Sequence, residues 1–147
     1  MKKIALLSCT KSKQTYPCEA REMYDTSNLF KKARAYVEMT EYDDWFILSA
    51  KYGLLNKETL IEPYDITLLT MNAKERKVWS ENVYSQLKGM KDCQFDFYAG
   101  ARYREFLIPL LKKDGIVSQV PLQGLQIGKQ LQFYSNALHD RNRKNAN

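Results

Sequence analysis

Residues 45–54 and 62–65 together carry a cation, two phenols and two carboxylates: Lys51, Tyr52, Glu62, Tyr64 and Asp65. A carboxylate beside a tyrosine in a partly dry site can act as a general base or stabilise a developing positive charge. Asp65, Glu62 and Tyr64 are therefore the catalytic candidates. Lys51 and Tyr52 are candidates for holding a ligand. Gly53 fits either backbone at positive φ or close approach to a ligand, and Pro63 pre-sets a turn that can aim Tyr64 and Asp65. The competing reading is a structural excursion whose carboxylates cap a helix or pair with lysines.

Three further clusters can bind rather than react. Ser8-Cys9-Thr10-Lys11-Ser12-Lys13 sets hydroxyls and lysines together, so Ser8, Thr10, Lys11 and Ser12 can bond and neutralise a phosphate or carboxylate. It lacks the glycines of a P-loop. Arg21 offers a planar fork to an anion and Tyr24 a ring for stacking. In Gly124-Leu125-Gln126-Ile127-Gly128-Lys129-Gln130, glycines at a helix start permit close approach, which makes Gly128 and Gln130 candidates. Each cluster also has a plain alternative, as solvated loop, helix surface or helix-to-sheet packing.

The elements that must position these clusters follow from the apolar pattern. Ile4–Leu7 is a continuous apolar run of strand length, which suits a strand covered on both faces. Trp45–Leu48, Gln94–Ala99 and Ile116–Val120 give three more strands. Helices are expected from an N-cap among Asp25, Thr26 and Ser27 to about Met39, and from Ala73 to Lys88, Tyr103 to Lys113 and Leu125 to His139, with Pro109 marking a kink or boundary. Alternating strands and helices predict an α/β three-layer sandwich: a mainly parallel sheet of about four strands with helices on both faces. Ligands in such sheets bind beyond the strand C-terminal ends. Residues 8–13, 49–53, 99–103 and 121–128 should converge there, which adds Gly100 and Tyr103 to the binding candidates.

The chain has 147 residues, 44% hydrophobic and 27% charged, with a net charge of +6 and a pI near 9.2. Residues 1–140 read as one α/β domain and residues 141–147 as a frayed basic tail. No apolar run is long enough to span a membrane, and no secretory signal is recognisable, so a cytoplasmic location is expected. The basic balance favours polyanionic partners. Cys9, Cys18 and Cys93 lack metal or disulfide spacing and His139 is alone, so neither metal nor cofactor is expected. Cys9 reads as a small semi-buried side chain or a reactive thiol.

Leu48-Ser49-Ala50-Lys51-Tyr52-Gly53-Leu54, followed by Glu62-Pro63-Tyr64-Asp65, resembles the strand–loop signature of the YaaA peroxide-stress family. In that family a small-residue-Tyr-Gly segment leads to a Pro-Tyr turn. Leu7–Lys13 is similar to the shorter YaaA-like relatives of phage and bacterial genomes, and the likeness extends in order over nearly the whole chain. It implies a DNA-associated stress or defence role. At 147 residues this sequence is expected to lack extra DNA-binding helices. The Ser-Cys-Thr strand end also resembles nucleobase-processing domains with a uracil-glycosylase-like sheet. The expected function is nucleotide- or nucleic-acid-directed, with cleavage of an N-glycosidic bond as one form. A non-catalytic DNA- or nucleotide-binding protein is the alternative. Oligomeric state is not legible in the sequence.

Overall fold

The computed structural model describes residues 1–146. Its main sheet has five strands in the order β4-β3-β1-β6-β7. Strands β1 (Lys2–Ser8), β3 (Asp44–Ser49), β6 (Cys93–Tyr98) and β7 (Ser118–Gln119) run parallel, and β4 (Gly53–Asn56) returns antiparallel along β3. This is the expected α/β sandwich with one strand more than the apolar runs suggested. Two short strands, β2 (Cys18–Glu19) and β5 (Leu60–Ile61), pair separately.

The central strands are apolar because both faces are covered. Ile4, Ala5, Leu6 and Leu7 of β1 are all buried, as are Phe95 and Phe97 of β6. Burying a side chain of this size contributes about 1.5–3 kcal/mol. Asp96 is the polar exception, only 3% exposed. Its carboxylate accepts from Tyr42 OH at 2.8 Å and from Gln94 Nε2 at 2.8 Å, which offsets its desolvation.

The chain starts in the middle of the sheet. Helices α1 (Ala20–Met23) and α2 (Asn28–Met39) lead from β1 to β3 on one side. A 3₁₀ turn (Leu68–Thr70) and α3 (Ala73–Leu87) then carry it back across β1 to β6. Helices α4 (Ala101–Arg104) and α5 (Leu107–Lys113) continue to β7, and α6 (Ile127–Ala146) closes the chain. Right-handed crossovers in opposite directions put their helices on opposite faces. Accordingly α2 packs with α6, and α3 with α5.

Local rules account for most boundaries. Ser27 caps α2 through its side chain, and Asn72 and Glu75 form a reciprocal capping box on α3. The predicted single helix over 103–113 is divided at Glu105–Phe106. Pro109 sits in the first turn of the second piece, where its missing N–H costs nothing. The fourth strand is shorter than the predicted Ile116–Val120, because only Ser118 and Gln119 pair with β6. The last helix begins at Ile127 and runs to Ala146 rather than stopping at His139, so residues 141–146, read as a frayed tail, are helical. Asn147 lies outside the described residues. No helix among the described residues is long and apolar enough to cross a membrane.

Candidate functional site

Strand order locates the site. Connections leave β1 and β6 towards opposite edges of the sheet, so the loops after these two neighbours part and leave a crevice between them. That crevice is a cleft of about 640 Å³, within the range of small-molecule and cofactor sites.

Its floor is the β1 end, Leu7 to Lys11. One wall is the β6 end and α4, Tyr98 to Tyr103, and the other comes from Leu29, Phe30 and Ala33 of α2. Ile127, Gln130 and Tyr134 of α6 close one side, and Thr67 and Leu69 the other. Most of this surface is apolar. The cations are Lys11 and Arg102, and no carboxylate lines the cleft among the described residues. Leu69 and Ile127 at the mouth are 73% and 62% exposed.

Cys9 lies at the floor, 7% exposed. Its sulfur is 3.2 Å from Tyr103 OH and accepts the Ala50 N–H at 3.4 Å. These bonds tie the ends of β1 and β3 to α4 and fix one wall against the floor. Burial, first of all, pushes the Tyr103 phenol well above its ordinary value, so it stays a neutral hydrogen-bonding group.

Six of the binding candidates, Ser8, Thr10, Lys11, Gly100, Tyr103 and Gln130, line this cleft. Ser12 does not: its hydroxyl donates to Thr26 Oγ1 at 2.8 Å and its carbonyl accepts from Thr10 Oγ1. Arg21 is turned to Glu19, 2.9 Å away. Gly128 is exposed on the first turn of α6, with open space where a Cβ would stand.

The residues at the end of β3 form a second constellation with another character. Tyr64 OH is 2.8 Å from Ser49 Oγ and 2.7 Å from Tyr24 OH. Ser49, fully buried, accepts the Tyr52 N–H on its hydroxyl and the Trp79 indole N–H on its carbonyl. The Tyr52 and Tyr64 rings meet edge to face at 5.6 Å. This clamp docks the coil at 62–67 onto the sheet. Desolvation raises both the Tyr24 and the Tyr64 phenol far above the usual range, so neither is a base near neutral pH.

Gly53 has φ +71° because it begins β4 and pairs with Ser49 across a tight turn. The hairpin, rather than a ligand, accounts for the glycine there. Lys51 lies over the Tyr52 ring at 5.3 Å on the outer surface. Glu62 and Asp65 are exposed and do not line the cleft. Lys13 links the two regions, its amine 4.5 Å from the Tyr64 ring centroid. Desolvation lowers the Lys13 pKa, with Cys9 and Asp65 nearby opposing that shift.

Phe30, Leu69, Ile127 and Tyr134 were not among the candidates. Their apolar types read as core, and only the crossover topology brings them to one opening. Among the described residues, no group of three or more His, Cys, Asp or Glu side chains is arranged to hold a metal ion.

The chain is similar to Uncharacterized protein YfjM of Bacillus subtilis (strain 168), with 28% identity over 155 residues covering 96% of this chain and 98% of that one. No solved structure matches it significantly. A family model, Family of unknown function (DUF6884), matches residues 4–136. That span contains every residue that lines the cleft, and the chain belongs to this DUF6884 family.

Proposed function

We propose that the chain binds a nucleotide or nucleobase, free or in a nucleic acid, in the cleft between β1 and β6. The observation that carries this reading is the cleft itself: an aromatic and aliphatic slot at a topological switch point, with cations and no carboxylate in its lining. A planar heterocycle would bury its faces against Phe30, Leu29 and Tyr98. Ser8, Thr10 and Gln130 would supply hydrogen bonds for orientation, and Lys11 and Arg102 would draw an anion to the mouth. The net charge of +6 supports the same class of partner. Resemblance to the YaaA-like family supports the non-catalytic form of this reading, a stress- or defence-related binder.

Cleavage of an N-glycosidic bond is the second form. It needs a carboxylate to stabilise an oxocarbenium-like sugar or to activate water. One observation favours it: Asp65 lies near the Lys13 amine on the coil that delivers Thr67 to the cleft wall. Glu62 lies further along that coil, and Tyr64 fixes the coil to the sheet.

The test is isothermal titration of nucleobases, nucleosides, nucleotides and short DNA and RNA into the wild-type chain and Ala101→Trp. The substitution places a bulky ring in the cleft wall at an exposed position. Saturable binding that the variant abolishes is the expected result; no binding, or binding indifferent to the variant, contradicts the proposal. Chromatography of the bound ligand after long incubation then separates the forms, since release of free base only by protein with an intact Asp65 requires the hydrolase.

A further inference from the structure

A smaller chamber of about 170 Å³ adjoins the cleft and shares with it the walls Tyr98, Ala99, Gly100, Ala101, Gln130 and Tyr134. Its far side is the turn after β7, Val120 and Leu122 to Leu125, and Arg104 reaches it from the end of α4. Arginines nearby have partners. Glu105 takes Arg76 at 2.5 Å through one oxygen and Arg102 at 3.3 Å through the other. Arg34 is held by Asp25 and Glu38, and Arg21 by Glu19.

Arg104 differs from all of these. It has no ion-pair partner among the described residues, and its Nε is shielded from water without a hydrogen-bond acceptor. Leaving a guanidinium donor dry and unbonded is costly, and such groups are normally satisfied by a partner. No carboxylate lines the chamber among the described residues, and the Gln130 amide nitrogen donates to the Leu125 carbonyl at 2.9 Å.

We infer that the chamber is an oxyanion subsite, in which Arg104 takes the phosphate or carboxylate of a ligand whose planar body lies in the cleft. An oxyanion presents the paired acceptors that a guanidinium fork matches, at the strand ends where no acid competes for it. The shared wall lets one molecule occupy both spaces. This rests on the proposed nucleotide reading and narrows it: the preferred ligand carries an acidic group, as a nucleoside monophosphate does, and the neutral nucleoside binds more weakly. Full use of the fork requires Nε to turn out of its packed position.

The experiment uses the full ¹⁵N-labelled chain and its R104Q and Arg104→Lys variants. Lys91→Gln removes an equal charge just before β6, at the opposite end of the sheet. Probes are inorganic phosphate, the common ribonucleosides and their 5′-monophosphates. In the wild-type chain a monophosphate should bind about tenfold more tightly than its nucleoside, the usual worth of a charge-assisted fork. R104Q should erase that preference while leaving nucleoside affinity unchanged; Arg104→Lys should restore part of it and Lys91→Gln should not alter it. Phosphate alone should shift the Arg104 Nε–Hε resonance. Nucleoside binding with equal monophosphate affinity in wild-type and R104Q overturns the subsite and leaves the cleft reading standing. Phosphate binding that depends on Arg104, with no nucleoside or nucleotide bound, keeps the subsite and overturns the nucleotide reading. No binding of any probe to the wild-type chain rejects both.

Discussion

At the end of β3, Ser49, Tyr64, Tyr24 and Tyr52 satisfy one another through hydrogen bonds and ring edges. At the ends of β1 and β6, Thr10, Lys11, Gly100 and Arg102 line open space, with Arg104 unpartnered in the adjoining chamber. Both regions have hydroxyls, aromatic rings and cations at strand ends, so residue type alone does not separate them. Saturation does. A polar group whose bonding capacity is met inside the protein contributes to the fold, whereas one beside an apolar cavity keeps that capacity for a ligand. By that criterion Tyr64 and Ser49 belong to the fold, and Lys11 and Arg104 to the site.

The sharpest way to break this contrast is to damage each region in turn. Tyr64→Ala removes a ring packed against Tyr24 and Tyr52 and one of the two hydrogen bonds of the Ser49 hydroxyl. It should cost about 3 kcal/mol in urea unfolding, with ligand affinity of the folded fraction within about threefold of wild type. A large affinity loss without a stability loss would reverse the assignment. Ala101→Trp should do the opposite: ligand affinity should fall by more than about tenfold, while stability changes by about 0.5 kcal/mol or less.

Smaller in effect is Trp79→Phe, which leaves the buried Ser49 carbonyl without its indole donor. About 1–2 kcal/mol should be lost in the same unfolding measurement. Smallest near neutrality is the pH response. The Tyr24, Tyr64 and Tyr103 phenols are raised above their ordinary value of 10.0, mainly by desolvation. A raised phenol binds its proton more tightly in the folded chain, so this contribution is full below pH 10 and is lost as pH climbs beyond it. Lys13, depressed below its ordinary 10.5, acts in the other sense, and its strain is relieved as pH rises towards that value. The phenols outnumber it, so denaturation midpoints should fall steeply above pH 10, and less steeply in Tyr64→Phe. An equal slope in that variant would remove Tyr64 from the explanation.

The sheet was legible because its central strands are buried on both faces and so read as unbroken apolar runs, as in Ile4–Leu7 and Trp45–Leu48. Strand β4 was not: Gly53-Leu54-Leu55-Asn56 is short, and its glycine served a ligand reading as well as a hairpin. Strands β2 and β5 have two residues each and carry no periodicity. At the site, Ser8, Thr10, Lys11, Gly100 and Tyr103 could be named because they directly follow apolar strands. The weight placed on Lys51, Tyr52, Glu62 and Asp65 came from dense polar chemistry at another strand end, which here folds into a clamp and exposed turns. Arg104 escaped notice for a different reason. Sequence shows three arginines and a glutamate in Arg102–Glu105 and Arg76, but not which arginine is left without the acid.

The most direct test of the central claim is a ¹H–¹⁵N map of the full chain titrated with the nucleoside monophosphate that stabilises it most. Shifts should concentrate on Ser8–Lys11 and Gly100–Arg104, and Lys51, Tyr52, Glu62 and Asp65 should stay nearly still. Shifts centred on Lys51–Gly53 and Glu62–Asp65, with the ends of β1 and β6 silent, would contradict the account.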